Sequence, residues 1–506
     1  MKARETCSSL ASYEPTTTPF ARFVSLMSVA EKIDAGDPRA GELRARPGLS
    51  PRVLTDIVSF VDAAMIFVSG CVAHVFYFNL FAAGAWQLTL TASALGAITC
   101  LIVFRRQGLY GLQRLVRWWE RIGRLGLSWL IVFLSLATIG FLVKVAETYS
   151  RGWALTWFAI GLALLVVGRA TVGFFLQRSI ANGQLHQQIA IVGSGEQAKL
   201  LVDRLTANGV LVNVVGVYDC GANASDLHSP GLGALSELIQ LAQRRRIDGI
   251  IIALPRSEES LIWQVTERLA SLPVHISLSP ETFDIKIGQS KDQTIGSVRT
   301  TVLLQPPLSD WSRIIKAVED RVFSAAVLIF FLPTMLLIAC AIKLDSPGPV
   351  FFRQKRHGFN HEIIPVWKFR TMTVMEDGSD VAQASKHDAR ITRVGRFLRG
   401  SSLDELPQLF NVVRGEMSLV GPRPHAVAHN EQYGAIIGSY SRRHRVKPGI
   451  TGWAQINGYR GEVREPSLME KRIEFDLYYI ENWSLWFDIK IILLTPFRGL
   501  IHPNAY

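Results

Sequence analysis

From Ala63 to Phe104 the chain carries no Asp, Glu, Lys or Arg. One membrane-spanning helix needs about 20 apolar residues, so this run is long enough for two. Its hydrophobicity dips between Asn79 and Gln87, which predicts two helices joined by a short hairpin. A third apolar run covers Leu125 to Val143 and a fourth covers Gly152 to Gly168. A fifth, Val322 to Ile342, is of another kind. Arg313, Lys316 and Arg321 border it on one side and Lys343, Arg353, Lys355 and Arg356 on the other, and Pro333 sits in its middle. Proline removes a helix hydrogen bond and bends the chain. A helix that enters the membrane, breaks at Leu332–Pro333 and returns to the same face satisfies both basic flanks. The alternative is a plain kinked span, which would carry the C-terminal region across.

Between the fourth and fifth runs the pattern changes to alternating strands and helices. Gln188 to Val192 reads as a buried strand, followed by Gly193-Ser-Gly195-Glu-Gln-Ala198 and then a helical pattern. Val212 to Tyr218 is a second strand, ending at Asp219, and Ile247 to Leu254 is another. This is the GxGxxA form of the dinucleotide fingerprint, so residues 188–300 are expected to be Rossmann-like. Gly193, Gly195 and Asp219 are the candidate nucleotide-binding residues. The same glycines also serve tight turns and close strand–helix packing, so a structural or regulatory unit is expected ahead of a bound dinucleotide. Tyr218 is the one tyrosine of this region and no Lys follows it at the Tyr-x-x-x-Lys spacing of sugar-nucleotide dehydratases. A catalytic oxidoreductase is therefore excluded.

Composition sharpens the picture. Of 506 residues 49% are hydrophobic and only 19% charged, which is apolar for a soluble protein and agrees with the membrane runs. The formal net charge is +12. Nucleic acid, an anionic membrane surface and phosphate-bearing substrates all fit such a balance. Given the apolar runs, membrane and phosphates are the expected partners and nucleic acid is not. The five cysteines are scattered, with no CxxC, so neither a zinc site nor a disulfide framework is expected. Residues 1–52 mix Arg, Glu, Pro, Ser and Thr and read as a disordered cytosolic tail. The loop between the second and third runs holds Arg105, Arg106, Arg114, Arg117, Arg121 and Arg124 against Glu120 alone. By the positive-inside rule that loop is cytosolic, and so are the N-terminal tail and everything after Arg178.

Motif density rises after Leu303. Ser346-Pro-Gly-Pro is followed by Lys368-Phe-Arg-Thr-Met372. The stretch from Asp388 to Arg399 is rich in Arg and leads into Ser402-Leu-Asp-Glu-Leu-Pro-Gln408, then Gly421-Pro-Arg-Pro424 and Lys447-Pro-Gly-Ile-Thr-Gly452. Arg356, Lys368, Arg370, Arg390, Arg396, Arg399 and Arg423 form a strongly cationic set beside the fifth apolar run, and arginine forks suit phosphate oxygens. Within it lies one adjacent acidic pair, Asp404-Glu405. Pro407 fits the first turn of a helix beginning near Asp404, where helix dipole and nearby Arg would keep the carboxylate ionised. Taken alone, Asp404 reads as a helix N-cap. Two carboxylates among many arginines on a membrane platform suit phosphoryl transfer between anionic substrates. That chemistry is mostly positioning and charge neutralisation, usually with Mg²⁺.

Residues 310–506 resemble the bacterial sugar transferase domain of the polyprenyl phosphosugar phosphotransferases. The resemblance rests on Lys368-Phe-Arg-Thr-Met, Ser402-Leu-Asp-Glu-Leu-Pro-Gln, Gly-Pro-Arg-Pro and Pro-Gly-Ile-Thr-Gly, in that order. The apolar runs and Rossmann-like unit in front resemble the large, multi-domain members. The resemblance implies that Asp404 is a nucleophile forming a covalent phosphosugar intermediate. It implies that Glu405 assists with metal and phosphate, so that both carboxylates are the candidate Mg²⁺ ligands. It implies also that the helix bent at Pro333 stays in one leaflet; the family's break is often Ser-Pro, and here it is Leu332-Pro333. Gln455-Ile-Asn-Gly-Tyr-Arg-Gly-Glu462 is similar to a run of members that transfer glucose-1-phosphate, and Gln455 joins the candidate binding residues.

The expected fold is a membrane α-helical bundle, a Rossmann-like α/β unit and a mixed α/β monotopic catalytic domain with a re-entrant helix. Its boundaries are 1–52 for the tail, 53–172 for four transmembrane helices, 173–303 for the Rossmann-like domain and 304–506 for the catalytic domain, with 322–342 re-entrant. The expected substrates are UDP-glucose and undecaprenyl phosphate, in a bacterial inner membrane, priming an exopolysaccharide or capsule. A homodimer and downstream glycosyltransferases are the expected protein partners. Galactose or an N-acetylhexosamine as the sugar, or a non-catalytic nucleotide-sensing scaffold, are the alternatives. The aromatic tail from Leu477 to Leu500 fits a core helix and a membrane-lying helix equally.

Overall fold

The computed structural model describes residues 50–499 apart from 79–85, 146–147, 183–184, 194, 207–211, 220–232, 280–290, 296–297, 374–387, 389, 426–429, 431–432, 435 and 460–465. Most of the expected N-terminal tail and of the first hairpin thus lies outside the described residues. The chain divides into two compact units. One is the N-terminal helical region with Asp310–Ile314; the other holds Gln187–Ser309 and the chain from Ile315 on.

The helical unit contains α1 (Pro51–Phe78), α2 (Trp86–Arg106), α3 (Ile122–Leu142, entered by a 3₁₀ turn from Trp118) and α4 (Arg151–Ala181). All are long and apolar enough to cross a membrane. The runs between charges therefore fold as the sequence predicts, although α4 continues well past Gly168. Inside the bundle, polar groups pair with one another, as an apolar solvent demands. Asp62 meets Arg169 at 2.6 Å. Trp157 donates to the Ile66 carbonyl and Trp153 to that of Gly70.

In the second unit β1 (Gln187–Val192), α5 (Glu196–Thr206), β2 (Val212–Asp219), β3 (Gly233–Ala234), α6 (Leu235–Arg244), β4 (Gly249–Ile252), α7 (Glu259–Leu269), β5 (His275–Leu278), β6 (Lys291–Ile295) and β7 (Val298–Leu304) build one seven-stranded sheet. Its order is β3-β2-β1-β4-β5-β7-β6, parallel through β5 and antiparallel beyond. The Ile-rich centre of β4 is wholly buried because helices cover both faces. Gly193 follows β1 at φ +143°, and a Cβ there would collide with the Ala253 carbonyl. Its glycine is required for packing whether or not a ligand binds. Gly195 at φ +91° meets nothing within 4 Å, so its need is conformational. Asp219 ends β2, whose Tyr218 carbonyl accepts from Gly193 N at 2.8 Å.

The C-terminal region starts with α8 (Asp310–Asp345), a helix of 36 residues that is also long and apolar enough to cross a membrane. It stays helical through Leu332 and Pro333. The expected break is at most a bend within one helix, not an unwound turn. There follow the antiparallel hairpin β8 (Phe351–His357) and β9 (Ile363–Phe369), α9 (Arg393–Ser401), α10 (Gln408–Arg414), the paired short strands β10 (Ser418–Val420) and β11 (Gly449–Thr451), α11 (Pro466–Glu481) and α12 (Leu485–Leu494). The aromatic tail divides between the two readings its sequence left open. Tyr479, Ile480 and Ile491 are core, while Trp486, Leu493 and Phe497 are exposed.

Candidate active site

The site forms where the β8–β9 hairpin, the turn between α9 and α10, and the loop after β10 meet. Asn411 of α10 holds the first two together. It is completely buried, accepts from the Trp367 backbone at 3.0 Å and donates to the Pro365 carbonyl at 2.8 Å. Helix α9 is fixed at its N-terminus by Thr392, whose hydroxyl accepts from Gly395 N, and by Asp345 at the end of α8, which accepts from Val394 N. Ser402, in the left-handed region at φ +58°, ends α9 and turns the chain into a 3₁₀ turn, Leu403–Glu405. The helix expected from Asp404 starts instead at Gln408, with Pro407 as its N-cap residue. Asp404 makes no side-chain capping bond, so the bland N-cap reading falls away.

The two adjacent carboxylates have opposite surroundings. Glu405 is buried and fully engaged. Its Oε1 accepts from Lys368 Nζ at 3.0 Å and from Arg423 Nη2 at 2.5 Å, and its Oε2 accepts from Arg423 Nη1 at 3.0 Å. These cations hold its carboxyl well below the usual range, outweighing burial. Asp404 accepts no hydrogen bond from any described residue. Burial pushes it up to about 6, and the negative Glu405 adds to this; Lys368, Arg423 and Arg399 pull the other way without prevailing. The helix-dipole argument from sequence thus had the wrong sign, because the dehydrated turn outweighs a dipole that begins only at Gln408. Asp404 is still mostly ionised at neutral pH.

The cations predicted from sequence have different positions. Arg423 and Lys368 bind Glu405, as above. Arg399 reaches Asp404 electrostatically, and its buried Nη1 has no hydrogen-bond partner among the described residues. Arg356 lies in β8 and donates to Gln354 Oε1 and to the Pro424 carbonyl, with no carboxylate on it. Arg370 is 3% exposed, and its Nη groups donate to the carbonyls of Pro347, Ser346 and Ile342. It clamps the end of α8 and the Ser346-Pro-Gly-Pro turn, where a Cβ on Gly348 would strike its guanidinium. Arg390 forks onto Asp388, and Arg396 is exposed on α9. Gln455 is buried, donating to the Ile450 carbonyl at 3.3 Å, with Oε1 unpartnered among the described residues. The end of its glucose-type run, Arg460 to Glu462, lies outside the described residues.

Sequence reasoning overlooked Asn411, His425, Arg443, Arg472 and Asp476. A signal existed on α11. Met469, Arg472, Ile473, Asp476 and Ile480 share one helical face, and all are buried. Two charges in an otherwise apolar stripe mark a built polar network. Among the described residues no group of three His, Cys, Asp or Glu side chains is arranged for a metal. Any metal would be held by the Asp404–Glu405 pair together with substrate oxygens.

Residues 311–502 match the bacterial sugar transferase family, and residues 105–280 match a CoA-binding domain family. A UDP-glucose:undecaprenyl-phosphate glucose-1-phosphate transferase of Xanthomonas campestris pv. campestris is 39% identical over 481 residues, covering 90% of this chain and 97% of the relative. Those of Klebsiella pneumoniae, at 38% with 92% and 99% coverage, and of Escherichia coli K12, at 39% with 81% and 89% coverage, are similar throughout. With whole-length relatives at this identity and the family's own segment carrying the Asp404–Glu405 site, the chain belongs to the bacterial sugar transferase family.

Proposed function

We propose that the protein transfers glucose-1-phosphate from UDP-glucose to undecaprenyl phosphate, with Asp404 as the covalent nucleophile. The observation that carries this is the division of labour in the acidic pair. Glu405 is locked between Lys368 and Arg423, and Asp404 beside it is a carboxylate with no hydrogen bond among the described residues. In the first displacement an Asp404 oxygen attacks the phosphorus next to the sugar. The bond to UMP breaks, and UMP leaves with the electron pair. In the second, an oxygen of the lipid phosphate attacks the same phosphorus and returns the carboxylate. Lys368, Arg399 and Arg423 surround the phosphorus and offset the charge on its oxygens. Mg²⁺ needs only one or two carboxylates beside phosphates and water. Asp404, and the lone pair that Glu405 Oε2 keeps beyond Arg423, would hold it, and it would neutralise phosphate charge.

The arginine-rich loop between α2 and α3 supports a site on the cytosolic face of the bacterial inner membrane. On that topology α8 enters and returns, bending at Leu332–Pro333, since both its flanks are basic. The exposed Trp486 and Phe497 lie at the membrane surface. The product primes a surface polysaccharide and passes to downstream glycosyltransferases.

The test is a panel of UDP-sugars labelled in the sugar, given to membranes containing the protein and undecaprenyl phosphate. UDP-glucose is expected to yield labelled lipid and free UMP at the highest rate. A faster reaction with UDP-galactose or a UDP-N-acetylhexosamine would replace the sugar, and no UMP from any of them would leave only a scaffold role. The pH profile follows from the raised Asp404. Its carboxyl is pushed up to about 6, and only the ionised form attacks. kcat/KM for UMP release is therefore expected to be flat near pH 8 and to fall tenfold per unit below about pH 6. A profile without that acid limb would remove Asp404 as the titrating nucleophile.

A further inference from the structure

Behind Arg423 lies a second polar network that the two displacements do not use. Arg443 is 3% exposed. It donates to Asp476 Oδ2 at 2.8 Å, to the Arg423 carbonyl at 2.8 Å and to His425 Nδ1 at 2.7 Å. With Nδ1 accepting, His425 is neutral, and burial and the arginines around it hold it well below its ordinary value. Tyr440 completes the network by donating to Asn430 Oδ1 at 2.5 Å.

One buried arginine beside this network forms no ion pair with a described residue. Arg472, on the buried face of α11, is 4% exposed. Its Nε is buried without a partner, and no carboxylate among the described residues lies within ion-pair distance of it. Asp476 is one helical turn away, where an i,i+4 pair could form, yet its Oδ2 is engaged by Arg443. Burial pushes Arg472 down to about 10, with Arg443 and Arg423 adding to this and Asp476 opposing it without prevailing. Arg356 is pushed to the same value by burial and by Arg423, with Glu405 opposing, and among the described residues its hydrogen bonds go to the neutral acceptors Gln354 and Pro424. Four guanidiniums, those of Arg356, Arg423, Arg443 and Arg472, thus lie near three carboxylates, Asp404, Glu405 and Asp476, and Glu405 is shared with Lys368 as well. Arg356 and Arg472 are the two that form no ion pair with a described residue. A buried unpaired cation is costly, and such sites are kept where the counter-charge comes with a ligand.

We propose that Arg472 is a substrate-binding residue which, with Arg356, forms an anion subsite behind Arg423 for a second phosphate, the one that Asp404 does not attack. This rests on the reaction proposed above. The ligand chemistry is a phosphate group, and the reaction offers two sources. One is the uridine-side phosphate of the nucleotide sugar, which leaves as UMP; the other is the phosphate of the lipid acceptor. The two guanidiniums without an ion pair suit the negative charge of the lipid phosphate monoester and that of the nucleotide phosphate, which grows as UMP leaves.

The experiment uses the full-length protein in detergent or nanodiscs and the variants Arg472→Gln and Arg472→Lys. KM for UDP-glucose, KM for undecaprenyl phosphate and kcat are measured, together with the melting temperature with and without UMP. Loss of a charged hydrogen bond is expected to raise one KM about tenfold or more in Arg472→Gln and less in Arg472→Lys. The ligand-free melting temperature should not fall. A raised KM for UDP-glucose with loss of the UMP-induced melting shift assigns the nucleotide phosphate; a raised KM for undecaprenyl phosphate alone assigns the lipid. Unchanged KM values and an unchanged UMP shift overturn the subsite. So does a lower melting temperature with both KM values intact, which is a purely structural role. If Arg472→Gln does not fold, Arg472→Lys carries the same readouts. If the wild type binds UMP through Arg472 and yet releases none from any UDP-sugar, the reaction fails and the subsite stands.

Discussion

Asp404→Asn is expected to abolish UMP release while leaving the fold intact. Asn has the same shape, and Asp404 makes no hydrogen bond to a described residue that the amide could disturb. What disappears is the attacking oxygen. Removing the nucleophile from a covalent mechanism costs on the order of 10⁴-fold or more in kcat. The variant should melt no lower than the wild type at neutral pH. The sign follows from linkage. A carboxyl raised from 3.8 in the unfolded chain to about 6 in the fold binds its proton more tightly when folded. Its contribution to stability is thus fully present below 3.8 and is lost as pH rises through about 6. At pH 7 the ionised Asp404 is a liability to the fold, and Asn relieves it. Measured as a single turnover without lipid acceptor, the wild type should release one burst of UMP and the variant none. Turnover of the variant within tenfold of wild type would end the covalent route.

Much of this architecture was legible because it is local. Uncharged runs about as long as a bilayer is thick predict α1 to α4 without knowledge of their packing. The strand–Gly-x-Gly–helix sequence around Gly193 likewise predicts β1 and its sheet, since the turn needs glycine at φ +143° and +91°. The active site was legible as a list of residue types but not as an arrangement. Asp404 and Glu405 look interchangeable in sequence. Their difference comes from Lys368, 37 positions before Glu405, and Arg423, 18 positions after it. The arginines were read as one cationic set, but Arg396 is exposed on α9, while Arg399, a turn nearer the Leu403–Glu405 turn, is half-buried and acts on Asp404. Arg370 was grouped with the phosphate contacts by its neighbour Lys368. Lys368 on β9 reaches Glu405, whereas Arg370 lies just past the strand end, where the pleat no longer sets its direction, and clamps the end of α8. Arg472 and Asp476 were hidden inside an apolar helical face, where a search for clustered motifs does not look.

Glu405→Ala should damage stability and activity together, unlike Asp404→Asn. Among the described residues Glu405 is the one carboxylate that forms ion pairs with both Lys368 and Arg423. Truncating it leaves those two cations facing each other in a buried site, and breaking such a pair from one side costs about 3–5 kcal/mol. Lys368 and Arg423 then lose the positions from which they meet the phosphate, so kcat should fall by about 10²-fold or more. Glu405→Gln is not a mild substitute. Its amide presents donors to Arg423 or Lys368, which have only donors, so it should lose a large part of the same stability. Two measurements separate this hub from a merely bulky core residue. In the first, the double variant Glu405→Ala, Arg423→Ala should be less destabilised than the two single losses added, because the second change removes the cation that the first left unpaired. In the second, the melting gap between wild type and Glu405→Gln should depend on pH. The folded Glu405 carboxyl is held well below its ordinary 4.5, so its stabilisation is full above 4.5 and lost as pH falls through the lower folded value. The gap should therefore be widest near neutral pH and shrink in acid. A gap that is constant from pH 7 to about pH 3, or losses that simply add in the double variant, would mean that Glu405 contributes packing rather than charge.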